Sequence, residues 1–205
     1  MLHLITTRQN ASDAHLRAMY EARKRVFVDL LKWDVPVLAD RYELDQFDDE
    51  HAQYLILADT DGGHLASARL LPTTRAHLLD SLFPGLCPLE VPRGGNIFEI
   101  SRFCLDRRLC ARERRQARDM LITALVDHAL VAGITGYTGV ADMGWFQQIL
   151  SFGWHCDPLG VPVPYPCGLL VALRIHITAD TPELLRRAAI IEPCGAAQER
   201  DRHAG

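Results

Sequence analysis

Apolar residues recur at three- and four-residue steps through residues 12–31. Leu16, Met19, Tyr20, Phe27, Leu30 and Leu31 form a stripe that predicts an amphipathic helix, with Ser12 or Asp13 able to cap it. Arg23 falls on that stripe, four residues from both Met19 and Phe27. Its guanidinium must either pair with a buried acid or snorkel to water at the stripe's edge. The period is lost over 32–51, which predicts a long loop, a kind of segment that is often functional. Residues 52–58 and 65–71 read as strands joined by the turn Asp59-Thr-Asp-Gly-Gly63. Residues 72–95, rich in proline, read as irregular. Residues 96–105 read as a strand. Alternation would put Ile97, Glu99, Ser101 and Phe103 on one face and Arg102 on the other, unless a bulge intervenes.

A second long helix is predicted over 112–132, with Met120, Leu121, Ala124, Leu125 and His128 on one side and Gly133 beyond its end. A strand over 134–141, a short helix over 142–152 and a strand over 169–177 follow. Thr181-Pro182-Glu183 predicts a final helix start, with Thr181 as the cap. The order predicts one α/β domain over residues 1–191, a mixed sheet flanked by helices, and a flexible tail over 192–205.

Composition narrows the class. Hydrophobic residues at 48% and charged residues at 23% are globular values, so a disordered chain is excluded. A net charge of -4 offers no broad basic surface, and no nucleic-acid partner is expected. Charge is locally uneven: Arg107, Arg108, Arg112, Arg114, Arg115 and Arg118 face only Glu113 between them. Such a run is either a solvated helix face or a dock for an acidic partner. No apolar run reaches the roughly 18 residues of a membrane span, and the first residues do not form a secretory signal. A cytoplasmic protein with no membrane association is therefore expected. The six cysteines, Cys87, Cys104, Cys110, Cys156, Cys167 and Cys194, form no C-x-x-C or zinc pattern. They read as reduced thiols, and no metal or cofactor is expected.

The chemistry-bearing residues come in a fixed order: Arg23-Lys-Arg-Val-Phe27, Trp33, Glu43-Leu-Asp45-Gln-Phe-Asp48, Arg69-Leu-Leu-Pro-Thr73, Phe83, and Glu99-Ile-Ser101-Arg102-Phe. This set resembles the acyl-homoserine lactone synthases, the autoinducer synthases of bacterial quorum sensing, over roughly residues 15–175. The resemblance implies a Gcn5-type N-acyltransferase fold, with a bent mixed sheet opened into a V where the acyl chain enters. It implies transfer of an acyl group from acyl carrier protein, or less often coenzyme A, to the α-amine of S-adenosylmethionine. Lactone closure then expels methylthioadenosine. S-adenosylmethionine is a substrate here, not a cofactor.

The resemblance also assigns residues. Asp45 and Asp48 bind or organise the cationic substrate, and Arg23, Arg69 and Arg102 are candidates for its carboxylate. Phe27, Trp33 and Phe83 line its pocket, the first two able to stack on the sulfonium or simply to pack in the core. Glu99 is the general base, directly or through a water. An unperturbed α-amine has a pKa of about 7.7–8.0, so a positioned carboxylate suffices. Ser101 or a strand N–H would stabilise the thioester oxygen. Thr138, Val140, Met143, Trp145, Phe146 and Ile149 are candidates for the acyl pocket. Some family members carry a threonine on this strand that favours 3-oxo chains, and either Thr138 or Gly139 would hold that place. The arginines of 107–118 would dock the acidic carrier protein. The stretch lacks the glycines of a coenzyme A loop, which favours carrier protein as donor. Two alternatives stay open: a Gcn5-type enzyme using acyl-coenzyme A on a small amine, and a non-catalytic binding member of the same fold.

Overall fold

A computed structural model of the protein describes residues 2–7, 13–166 and 168–191. The Ser12 cap, Cys167, Cys194 and the tail over 192–205 lie outside the described residues. The chain begins with strand β1 (Leu2–Thr7), which too short an apolar pattern did not predict. Helix α1 (Asp13–Arg23) forms where the stripe places it, but from Lys24 to Leu30 the helix widens to a π turn. The Leu31 N–H donates to Val26 O, five residues back, at 2.9 Å. The wider turn changes which side chains face inward. Arg23 and Phe27 stay buried, whereas Leu30 and Leu31, which a regular period would bury, are each 48% exposed.

The long loop holds a two-stranded hairpin, β2 (Val37–Leu38) and β3 (Tyr42–Glu43). Strands β4 (Gln53–Ala58) and β5 (His64–Pro72) follow as expected. The proline-rich stretch contains the one-turn helix α2 (Leu78–Ser81) and a 3-10 turn at Pro84–Leu86. Then come β6 (Ile97–Leu105) and α3 (Ala111–Ala132), which Gly133 closes at φ +69° in the left-handed region. Strand β7 (Gly136–Asp142) leads into α4 (Met143–Ser151), capped by Asp142, whose carboxylate accepts the Trp145 N–H at 3.0 Å. The short strands β8 (His155–Pro158) and β9 (Val163–Tyr165) precede β10 (Gly168–His176). Helix α5 (Thr181–Arg187) starts on Thr181 rather than being capped by it; Asp180 holds the cap position.

The main sheet runs β1-β4-β5-β6-β7-β10-β8, with β9 also on β10. The β6–β7 pair is parallel and the other pairs are antiparallel. Helices cover both faces, so strand β4 is apolar on each side: Leu55 and Leu57 join the core under α3, Tyr54 and Ile56 the core under α1. The buried stripe of α3 is Ala117, Leu121, Ile122, Leu125, Val126 and Ala129. Met120 and Ala124 flank it, and His128 stands at its edge, so the stripe is turned from the one the sequence predicts.

One irregularity positions the functional residues. Ser67 opposes Cys104 and Arg69 opposes Ser101, so β6 has one residue more than β5 between these pairs. At that bulge Arg102 has φ +51°, a left-handed conformation that costs a non-glycine residue on the order of 1–3 kcal/mol. The bulge reverses the alternation. Phe103 joins the α3 side, packed near the main core, while Arg102 reaches the acids beside Arg69. The strict alternation over Ile97–Phe103 does not hold.

Candidate active site

Three guanidiniums and three carboxylates interlock beneath α1. Arg23 donates through Nε to Glu43 at 2.5 Å and through both Nη atoms to Asp48 at 2.8 Å. Arg69 donates to Asp45 at 2.6 and 3.1 Å and lies 3.0 Å from Asp48. Arg102 reaches Glu43 at 2.9 Å and Asp45 at 2.8 Å. Arg23 is 1% exposed, so the snorkelling alternative does not hold and the buried-acid alternative does. Burial alone would depress its pKa, but the charges of Asp48 and Glu43 outweigh that and hold it above the ordinary arginine range. Burial likewise opposes ionisation of Asp48, and Arg23 and Arg69 reverse this, holding its carboxyl well below the usual range. Tyr54 adds a further hydrogen bond to Asp48 at 2.9 Å.

The acids are therefore taken up by arginines. Asp48 is 4% exposed and lies outside the cavity lining. Glu43, which joins Arg23 to Arg102, is as central as the aspartates. Its pattern signal was only its place two and five residues before them in the same acidic segment of the loop.

Glu99 sits two residues before Ser101 on β6, opposite Leu71. It is 1% exposed and makes no ion pair among the described residues: its two oxygens accept the N–H groups of Leu78 at 2.9 Å and Leu79 at 2.8 Å, at the start of α2. Burial pushes its pKa up, against the pull of those two amides, His77 and Arg69. Ser101 Oγ accepts from Arg69 Nε at 3.0 Å, linking this strand to the ion-paired wall.

The β6–β7 ladder ends at Glu99 and Thr138. Past it the strands part, and a cavity of about 120 Å³ lies in the split. Ser101, Arg102 and Phe103 line one side and Thr138, Gly139 and Val140 the other. Phe27 and Trp33 wall one end; their rings stack at 4.8 Å, with the Arg102 guanidinium 5.6 and 5.9 Å from the ring centres. Trp145, Ile149, Phe152 and Trp154 make an apolar wall elsewhere. The Thr138 hydroxyl is buried and has no hydrogen-bond partner among the described residues.

Residues 7–184 match the autoinducer synthase family model. The chain belongs to the autoinducer synthase family. An acyl-homoserine-lactone synthase of Rhizobium etli is 34% identical over 193 residues, covering 91% of this chain and 89% of that protein. The structure of TofI, in a ternary complex with an inhibitor and MTA, superposes with a TM-score of 0.76 at 30% identity, covering 93% of this chain and 100% of that one. MesI, a CoA-dependent acyl-homoserine lactone synthase, superposes at 0.81 with 27% identity, covering 94% and 97%. More distant N-acyltransferases share the fold at TM-scores of 0.58 and 0.59.

Not every residue predicted for the synthase's site meets the others. Phe83 lies apart from the ion pairs, edge-on to Tyr165 at 5.5 Å in a satellite core with Leu79 and Val140. On α4 only Trp145 and Ile149, four residues apart, face the cavity. Phe146, one step round the helix, is in the main core, and Met143 packs beside that core outside the cavity lining. Of the arginine run, Arg107, Arg108, Arg112 and Arg115 are exposed, whereas Arg114 and Arg118 are half-buried. Arg108 folds back on buried Asp106, and Arg118 pairs with Asp119 and lies over Phe152. Phe152 and Trp154 line the synthase's cavity without a sequence signal that separates them from core aromatics. Among the described residues no group of three His, Cys, Asp or Glu could hold a metal ion, and no helix is long and apolar enough to cross a membrane.

Proposed function

We propose that this synthase acylates the α-amine of S-adenosylmethionine at the β6–β7 split and then closes the product to a homoserine lactone. The carrying observation is the cavity itself: a strand split is bounded by Arg102 and the Phe27–Trp33 stack at one side and by an apolar wall at another. Arg102 is the one of the three arginines that lines the cavity, so it takes the substrate carboxylate, and the half-exposed Trp33 takes the nucleoside. Arg23, Asp45, Asp48 and Arg69 act behind them as a rigid frame, with Phe83 shaping the far side through Val140.

The free amine attacks the thioester carbonyl, and its proton goes to Glu99, whose raised pKa makes it the better acceptor. The developing oxyanion meets Ser101 or an N–H of β6 freed where the ladder stops. Collapse breaks the carbon–sulfur bond and releases the donor thiol. The substrate carboxylate oxygen then attacks its own γ-carbon, and neutral methylthioadenosine leaves. Such intramolecular closure can gain about 7–11 kcal/mol, so orientation is enough. The exposed arginines at the start of α3 favour an acidic acyl carrier protein as donor in the cytoplasm.

Purified protein, S-adenosylmethionine and matched acyl thioesters of carrier protein and coenzyme A test this together. Methylthioadenosine and lactone should appear in equal amounts, faster with carrier protein. Thiol release without methylthioadenosine would mean an ordinary N-acyltransferase, and faster turnover with coenzyme A would overturn the donor assignment.

The Thr138 hydroxyl, unpartnered among the described residues and in the cavity lining, supports a role as donor to a 3-oxo group on the chain. Thr138→Val keeps the shape and removes the donor. It should lower the preference for 3-oxo over saturated chains by about fivefold, the worth of a hydrogen bond of about 1 kcal/mol. An unchanged ratio in a two-donor competition would remove Thr138 from that role.

A further inference from the structure

His77 is fully buried and stands at the residue before α2. Its backbone N–H donates to Asp80 at 2.9 Å, and its Nδ1 lies 2.8 Å from Arg75 O and 3.4 Å from Asp80 Oδ1. Because a carbonyl can only accept, Nδ1 must carry the hydrogen, and in the neutral ring Nε2 is then a bare acceptor. That nitrogen is buried with no partner among the described residues. A buried ring nitrogen left without a partner is uncommon and calls for a reason. The next two residues, Leu78 and Leu79, are the ones whose amides hold Glu99, and the ring lies within electrostatic reach of that carboxylate.

We propose that His77 is a positioning residue for Glu99: with Asp80 it fixes the two amides that clamp the carboxylate, and its unpaired imidazole nitrogen tunes the carboxylate's charge. The proposal rests on Glu99 as the base. The charged groups around Glu99 are Arg69 on β5 and His77 at the start of α2, with Asp80 behind His77 and Arg93 paired to Asp80. The β7 residue opposite Glu99 is Thr138, which is uncharged. The ring is part of the field that pulls the Glu99 proton affinity down, so its loss should move the acid limb of activity to higher pH.

His77→Asn separates this from a merely structural role, because asparagine is a good cap but carries no imidazole. With S-adenosylmethionine and a hexanoyl thioester of whichever donor the unaltered protein uses, kcat should fall about tenfold. The acid limb of kcat/KM should move up, while affinity for S-adenosylmethionine in calorimetry stays within about twofold. In a Glu99→Gln background the same change should have no further effect, since residues acting through one group are not additive. Unchanged kcat and pH profile in His77→Asn would overturn the proposal, as would a full tenfold loss persisting in the Glu99→Gln background. If His77→Asn does not fold, His77→Gln is judged by the same outcomes. Should Glu99→Gln alone leave turnover intact, the base assignment fails first and this proposal with it; a dead Glu99→Gln beside a normal His77→Asn removes His77 only.

Discussion

Glu99→Gln should lower kcat by about 10²–10⁴, the usual contribution of a positioned general base, with affinity for S-adenosylmethionine little changed. The side chain keeps its size, and its place opposite the cavity-lining Thr138 is retained. What changes is the proton acceptor. One consequence must be separated from catalysis: both Glu99 oxygens accept amide hydrogens, and the glutamine NH₂ would face one of those donors. Against that stands a gain, because burial already disfavours the Glu99 charge. A folded pKa above the unfolded value means that this group favours folding most below the unfolded pKa, and that the advantage fades as pH rises through the folded one. Removing the charge therefore offsets part of the amide mismatch at neutral pH. The unaltered enzyme should lose activity as pH falls through the raised Glu99 pKa, and the variant should lack that limb. Single-turnover acylation with calorimetry on the same samples checks the pair of expectations. Turnover within threefold of the parent, with the acid limb still present, would mean another group takes the proton.

Period and punctuation made most of the fold legible. The hairpin of β4 and β5, the strand β6, the helix α3 with Gly133 beyond it and the strand β10 all fall within two residues of their expected bounds. What stayed hidden has physical reasons. Strands β1, β8 and β9 are short and lie towards the sheet margins, so their pairing partners, not their own alternation, define them. The π turn after Arg23 keeps an apolar sequence that a regular helix also fits. The bulge at Arg102 is legible only as an exception that the alternation permits. It is needed because Arg102 must share a neighbourhood with Arg69, and a strictly alternating strand would send it the other way.

The site divides along the same line. The identity of the charged residues was readable from their order, but their pairing was not. The resemblance has Asp45 and Asp48 bind or organise a cationic ligand. In the fold Arg23, Arg69 and Arg102 hold them, and the three positive charges cancel the three negative ones of Glu43, Asp45 and Asp48. A balanced network attracts little by net charge. Its value is rigidity, since each carboxylate is held from more than one side and the cavity-facing arginine is fixed from behind. The acyl pocket was half legible for a related reason. Helical spacing allows Trp145, Phe146 and Ile149 equally, and only the position of the strand split decides that Phe146 faces the core.

Arg23→Met should destabilise the protein by about 3–5 kcal/mol and abolish S-adenosylmethionine binding. Removing one partner of a buried network leaves the others desolvated, which costs far more than an exposed pair is worth. Glu43 and Asp48 would both lose their shortest contacts, and Arg69 and Arg102 would be the arginines left to hold them, beside the Tyr54 hydroxyl and the Asp45 N–H on Asp48. For a chain of this size the loss corresponds to a melting temperature lower by about 10 °C. Acid dependence gives the mechanism a separate signature. In the parent the Asp48 pKa is depressed, so its stabilisation is present above the unfolded value of about 3.9 and is lost as pH falls through the folded one. In Arg23→Met burial of Asp48 is less well opposed, its pKa rises, and protonation relieves the strain instead. The stability gap between the two proteins should therefore narrow as pH falls towards about 4. Asp48→Asn added to Arg23→Met should recover part of the loss at neutral pH, because the uncompensated charge is gone. A gap that stays constant from pH 7 to 4 would mean that Arg23 supports the fold through its packing under Tyr20 and not through its charge.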